Sequence, residues 1–121
     1  MAKHIKRRRL ELGLYQRQVA EIIGVRESTI YNWERGVEPE LIHMPAIIRF
    51  LGYNPLPIPP ADDPLGQLRH YKMSNGMDFV RLGEAMSKNH EQLADWLSGR
   101  RKPLRKSLDK IREFLKTNGY E

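Results

Sequence analysis

The side chains with the most to offer chemically are Arg26, Glu27, Ser28, Tyr31 and Asn32, polar groups recurring at helical spacing. An asparagine can bond adenine through two hydrogen bonds, an arginine can do the same to guanine, and a carboxylate can accept from cytosine. Each good pairing is worth ~1–3 kcal/mol of discrimination between bases. This is the chemistry of a helix face laid in a DNA major groove. The chemistry of catalysis is not offered. His4, His43, His70 and His90 have no metal-ligand spacing, there is no cysteine, and no nucleophile–base pairing or glycine-rich phosphate loop occurs. The expectation is a binding protein and not an enzyme, with no catalytic residue, no metal and no cofactor.

The stretch Gln16–Gly36, QRQVAEIIGVRESTIYNWERG, positions those five residues. Val19, Ala20 and Ile23 give a first short helix an apolar face. Gly24 stands where the chain leaves that helix and wants a left-handed residue. Val25 plugs the turn, Ile30 and Trp33 give a second helix its apolar face, and Gly36 closes it. At this spacing Trp33, like Trp96 later in the chain, reads as core. Two helices this short need flanking helices to pack against. Residues 3–12 form one, with Ile5, Arg9 and Leu12 on one side and Leu10 and Leu14 as apolar anchors. Beyond Gly36, Pro39 bars continuation of the helix. A short turn over Leu41–Met44 then leads to Pro45, Ile47, Ile48, Leu51 and a terminal Gly52. The result is a five-helix domain over residues 1–52. The basic run Lys6–Arg9 reads either as a solvated face or as a phosphate-facing one.

From Ile5 to Tyr53 the chain resembles the Cro/phage-repressor-like (XRE) helix-turn-helix family. The run from Arg9 to Leu14, the Gln16 helix with its turn Gly24 and core Ile30, and Trp33-Glu34-Arg35-Gly36 carry the likeness. The resemblance implies base contacts from Glu27, Ser28 and Asn32, with Arg26 and Tyr31 nearby. It also implies phosphate contacts from Arg9, Gln16 and Arg35, Gln16 standing at a helix N-terminus whose dipole favours an anion. An ion pair between Arg9 and Glu34 is implied as a second job for that arginine. Tyr15 and Arg26 depart from the family, which favours serine or threonine at these two helix starts, so other groups are expected to serve them.

Net charge is +6 over 121 residues, and basic residues lead in both halves, nine against six in residues 1–60 and twelve against nine in 61–121. A polyanionic partner is favoured, without a choice among DNA, RNA and lipid. The N-terminus has no apolar signal segment, and no apolar run reaches the ~20 residues that span a bilayer. A soluble, cytoplasmic protein with no membrane partner is expected.

Residues 53–66 contain five prolines and read as a linker with polyproline II character. It would act either as a spacer reaching about 40 Å or as an arm packed on one domain. Residues 67–121 then repeat the first domain weakly at a shift of 63 residues, pairing Gly13 with Gly76, Glu21 with Glu84, Trp33 with Trp96 and Gly36 with Gly99. The expected fold is therefore all-α, two small five-helix bundles in tandem, the second a divergent helix-turn-helix copy. Asp78 and Asn89 should cap its helices. Gln16, Gly24 and Glu34 are replaced by Phe79, Ser87 and Leu97, losses relative to the first copy. Its presumed reading face, His90, Glu91 and Asp95, is acidic, and Arg100, Arg101 and Lys102 follow as a basic patch. These six are the candidate DNA contacts of the second module.

The expected partner is double-stranded DNA, bound in sequence-specific fashion by a transcriptional regulator. With two modules in one chain, half-sites about 34 Å apart need not be palindromic. The alternative keeps DNA reading in the first domain alone. The second then serves homodimerisation or docks a protein partner, as an antitoxin docks its toxin.

Overall fold

The computed structural model describes residues 1–121, and every regular element in it is helical. The chain divides into two compact units, Met1–Pro55 and Leu56–Glu121. No helix is long and apolar enough to cross a membrane.

The first unit comprises α1 (Ala2–Glu11), α2 (Gln16–Ile23), α3 (Glu27–Glu34), a 3-10 turn (Leu41–His43) and α4 (Met44–Leu51). Its core is Ile5, Val19, Ala20, Ile23, Ile30, Trp33, Met44, Ile47, Phe50 and Leu51. Full burial of a side chain such as Ile30 is worth ~1.5–3 kcal/mol, so a unit this small depends on nearly every member of that set. Leu10, expected as an anchor with Leu14, and Leu12, expected on one side with Ile5 and Arg9, are exposed instead, while Leu14 is half-buried. The inward stripe of α1 runs through Ile5, Arg8 and Arg9, at i, i+3 and i+4, so two of its three positions are arginines. Arg8 donates from Nε to the Phe50 carbonyl at 3.1 Å, which ties α1 to α4. Leu12 already lies past the last helical residue. The turn between α2 and α3 forms at Gly24, at φ 91°, where the Gly24 and Val25 N–H groups both donate to the Ala20 carbonyl.

The second unit has four helices, α5 (Pro64–Ser74), α6 (Phe79–Met86), α7 (His90–Ser98) and α8 (Arg105–Thr117). The expected fifth is absent for a backbone reason. α8 is continuous over the positions that unit one divides between its 3-10 turn and α4. There, Pro45 has no N–H to donate to the Leu41 carbonyl, so an α-helix cannot run through. The corresponding residue, Asp109, has that donor. Leu68, Leu82, Leu93, Trp96, Leu97, Ile111 and Leu115 form the core.

α6 and α7 begin 63 residues after α2 and α3. The buried set follows the same spacing, Leu68, Leu82, Leu93 and Trp96 standing for Ile5, Val19, Ile30 and Trp33. Two small-residue positions hold this second turn together. Ser87 takes over the left-handed position of Gly24, at φ 54° and ψ 46°, so its substitution strains the turn but does not open it. Gly83 replaces Ala20, and a Cβ there would stand 2.7 Å from the Lys88 carbonyl oxygen.

The stretch expected as a linker over 53–66 is only partly one. Its end is helix, because proline is tolerated in a first turn; Pro64 opens α5 and Asp63 caps it by accepting from the Gly66 N–H at 3.0 Å. Its middle packs on α5. The Gln67 amide donates to the Pro59 carbonyl at 3.2 Å, and buried His70 Nε2 donates to that of Leu56 at 3.1 Å. That bond assigns the tautomer, leaving Nδ1 to accept from the Tyr120 hydroxyl at 2.5 Å. Burial, and then the neighbouring Tyr71, hold the Tyr120 phenol above its ordinary pKa, which keeps it a donor.

Two substitutions test the second turn. Ser87→Gly removes a left-handed residue that carries a Cβ and is expected to stabilise by about 1 kcal/mol. Gly83→Ala gains helix propensity but drives a methyl into backbone, and is expected to destabilise by about 1–3 kcal/mol. Equilibrium denaturation of the full chain, followed by tryptophan fluorescence, reads both. A stabilising Gly83→Ala would refute the close packing at this turn.

Candidate nucleic-acid interface

α3 is anchored from below by Ile30 and Trp33, 0% and 3% exposed, while its opposite side is open. Arg26, Glu27, Ser28, Tyr31 and Asn32 all lie exposed, so the five residues expected to read bases share one accessible surface. Burial of one stripe dictates this, since i, i+1, i+4 and i+5 face away from i+3 and i+6. Glu27, Ser28 and Asn32 make no side-chain hydrogen bond within the protein. Tyr31 does, accepting at its hydroxyl from Arg35 Nη1 at 3.0 Å.

Beneath the α3 C-terminus lies the main polar contact of the unit. Arg9 donates to Glu34 through Nε at 2.8 Å and Nη2 at 2.9 Å, and through Nη1 to the Leu14 carbonyl at 3.2 Å. The side chains are 15% and 5% exposed. Hydrogen bonding to Glu34 outweighs desolvation and holds the guanidinium above its ordinary pKa. The ion pair implied for these residues is formed, and it spends three of the five Arg9 N–H donors inside the unit, so the phosphate contact implied for Arg9 would fall to the remaining two. Gln16 joins the pair, its amide 3.4 Å from Glu34 Oε1. That contact sets the start of α2 against the end of α3 and leaves the rest of the Gln16 amide available at the surface.

The two helix starts behave as the departures at Tyr15 and Arg26 led one to expect. Neither side chain caps its helix. At α2 the cap is reversed, Gln18 Oε1 accepting from the Tyr15 N–H at 2.8 Å. In unit two Asp78 accepts from the Arg81 N–H, and Asn89 from those of Glu91 and Gln92. The first-turn N–H groups of α3 are thus left without a side-chain acceptor, whereas those of α7 are occupied.

The sequence reading missed Arg17. Its guanidinium carbon lies 5.1 Å from the centroid of the Tyr15 ring, and Arg35 sits likewise 5.3 Å from that of Tyr31. The second pair has the i, i+4 spacing that signals contact on a helix. The first does not; Tyr15 is extended backbone outside α2, and no periodicity announces an i, i+2 stack.

In unit two the polar triad is replaced as a set. Lys72, Phe79 and Leu97 occupy the positions of Arg9, Gln16 and Glu34. The Lys72 ammonium lies 4.5 Å over the Phe79 ring, and Leu97 is buried. His90 and Glu91 are exposed on α7, as are Arg100, Arg101 and Lys102 beyond it. Asp95 turns from the open surface to the basic loop, 3.8 Å from Arg100 and 3.9 Å from Arg101.

Residues 5–58 match the helix-turn-helix family model. The match supports the XRE-type family for this part of the chain, and with it a DNA-binding role. No curated protein and no solved structure matches the chain significantly.

Glu34→Leu alone leaves the Arg9 charge buried without its partner and is expected to cost about 3–5 kcal/mol. Adding Arg9→Lys and Gln16→Phe, which reproduces the set used in unit two, is expected to recover most of that loss. Thermal and denaturant unfolding of the single and triple variants decides the matter; equal destabilisation by both would show that the three positions are not coupled.

Proposed function

We propose that the protein is a cytoplasmic transcriptional regulator, not an enzyme, that binds double-stranded DNA sequence-specifically, with α3 in the major groove. The observation that carries this is the exposed face of Arg26, Glu27, Ser28 and Asn32, fixed over a buried Ile30–Trp33 stripe in a helix-turn-helix unit. These side chains have unspent hydrogen-bonding capacity in the arrangement that base edges require. Gln16 and Arg35 flank this face and serve the phosphates, which fix register without carrying sequence.

The second unit is read here as a diverged copy of the first. The shared spacing of α6 and α7, the left-handed turn at Ser87 and the matching buried positions support that reading. Its contribution to sequence reading is the smaller one. Glu91 and Asp95 repel phosphate, Asp95 partly neutralises Arg100 and Arg101, and Phe79 stands where Gln16 would meet the backbone. His90 and Lys102 remain as weak contacts. A second reading, in which this unit dimerises or docks a protein, is favoured by the half-buried Phe79 in place of Gln16, whereas Leu97 lies in the core and presents no docking surface.

Selection of binding sites from random duplex DNA tests the proposal. The wild type is expected to enrich a motif, and Asn32→Ala to relax one position of it at a cost of about 1–3 kcal/mol. Failure of the wild type to enrich any sequence at low salt would refute sequence-specific recognition. An enriched motif that Asn32→Ala leaves unaltered would remove α3 from its assigned role.

A further inference from the structure

We infer that Tyr15–Arg17 and Tyr31–Arg35 are two preorganised clamps for DNA phosphate, with Arg17 a contact residue and the tyrosines positioning residues. This rests on the DNA-binding reading and adds to it Arg17, Tyr15 and a changed role for Tyr31.

Four observations carry the inference. Both guanidiniums lie against a tyrosine ring, at 5.1 and 5.3 Å. Neither arginine forms an ion pair, whereas Arg9, Arg100, Arg101 and Arg112 all do. A carboxylate partner would consume the N–H donors that a phosphate needs, whereas a ring takes up little of that capacity: Arg17 donates to no protein group, and Arg35 gives one N–H to the Tyr31 hydroxyl and keeps the rest. The two pairs are also attached to neighbouring backbone: Arg17 follows Gln16 and Arg35 follows Glu34, and the Gln16 and Glu34 side chains are 3.4 Å apart where the start of α2 meets the end of α3.

Unit two supplies an internal control. At the same spacing Tyr15, Arg17, Tyr31 and Arg35 become Asp78, Val80, Ala94 and Ser98. The α6–α7 turn forms without any of them, so the fold does not require these pairs. They occur where the α3 face is unneutralised and are absent where Asp95 faces the basic loop.

The gain from a stacked tyrosine is conformational. A free arginine loses side-chain entropy when it binds a phosphate, and one already held against a ring loses less. Removing the arginine should remove a charge contact. Removing the ring should weaken the contact and leave the charge count unchanged.

The experiment is a salt titration of the full-length chain on a labelled mixed-sequence duplex of about 20 bp, where phosphate contacts supply essentially all the affinity. Circular dichroism and thermal melting confirm that each variant is folded. Arg17→Gln is expected to weaken binding and to reduce the slope of log K against log salt by about 0.9, one phosphate contact. Tyr15→Leu should weaken binding several-fold at unchanged slope, and Tyr15→Phe should restore it. Tyr31→Leu should behave as Tyr15→Leu does on this non-specific duplex, where a base-reading tyrosine would have no effect. An unchanged slope for Arg17→Gln overturns the contact, and wild-type binding by Tyr15→Leu and Tyr31→Leu overturns the positioning role. Absence of wild-type binding to any duplex at low salt is a different failure, that of DNA binding itself, and removes the clamps with it.

Discussion

The first unit hangs on the Arg9–Glu34 pair. It joins the last turn of α1 to the end of α3, and through Gln16 it reaches the start of α2, so three of four α-helices meet at one carboxylate. An ion pair at this depth gains little over an apolar contact of similar size, because desolvation of both charges offsets their attraction. What it does supply is direction. A two-bond guanidinium–carboxylate contact has one geometry, and that geometry sets the angle at which α3 leaves the core. The exposed face of α3 is aimed by an ion pair that lies beneath it.

Unit two shows that the same turn forms without the pair. Lys72, Phe79 and Leu97 keep one cation and replace the two polar partners by apolar side chains, one of which carries the cation on its ring. The exchange is physically consistent, since removing the carboxylate alone would strand a charge. It also takes away Gln16, the one member of the set at the surface. In unit one, Gln16 therefore links the packing of the helices to the exposed surface, and unit two forms its turn without such a link. The exposed capping atoms follow the same division. Asp78 and Asn89 satisfy the helix starts of unit two, while those of unit one are left to Gln18 or to solvent.

Much of this was legible in the sequence because it depends on local rules. Apolar spacing identified Val19, Ile30, Trp33 and their counterparts as core, and Gly24 marked the turn by its need for positive φ. Asp78 and Asn89 were readable as caps from residue type and position. Leu10 is exposed because Arg8, not legible as inward from its type, takes the inward position through the Phe50 carbonyl, and Leu12 because the helix that would turn it inward ends at Glu11. The five-helix expectation for unit two failed at a single backbone donor, present in Asp109 and missing in Pro45. By residue type Ser87 reads as a loss of the turn glycine, but a serine is held left-handed there at φ 54° and ψ 46°.

The sequence by itself determined the elements, the buried stripes and the identity of the α3 face, because each follows from helical period and backbone preference over a few residues. It determined the family resemblance of the first unit on the same basis. Only the tertiary structure decided which polar groups remain free to act. Arg9 and Arg35 are both arginines near the same helix end, and nothing in their types separates them. One lies against a buried carboxylate and has three of its five donors spent inside the unit; the other lies against a tyrosine ring with most of its donors open. The Tyr31–Arg35 contact is legible as an i, i+4 pair, but the Arg9–Glu34 contact joins residues 25 apart in the chain, and spacing along one helix cannot encode it.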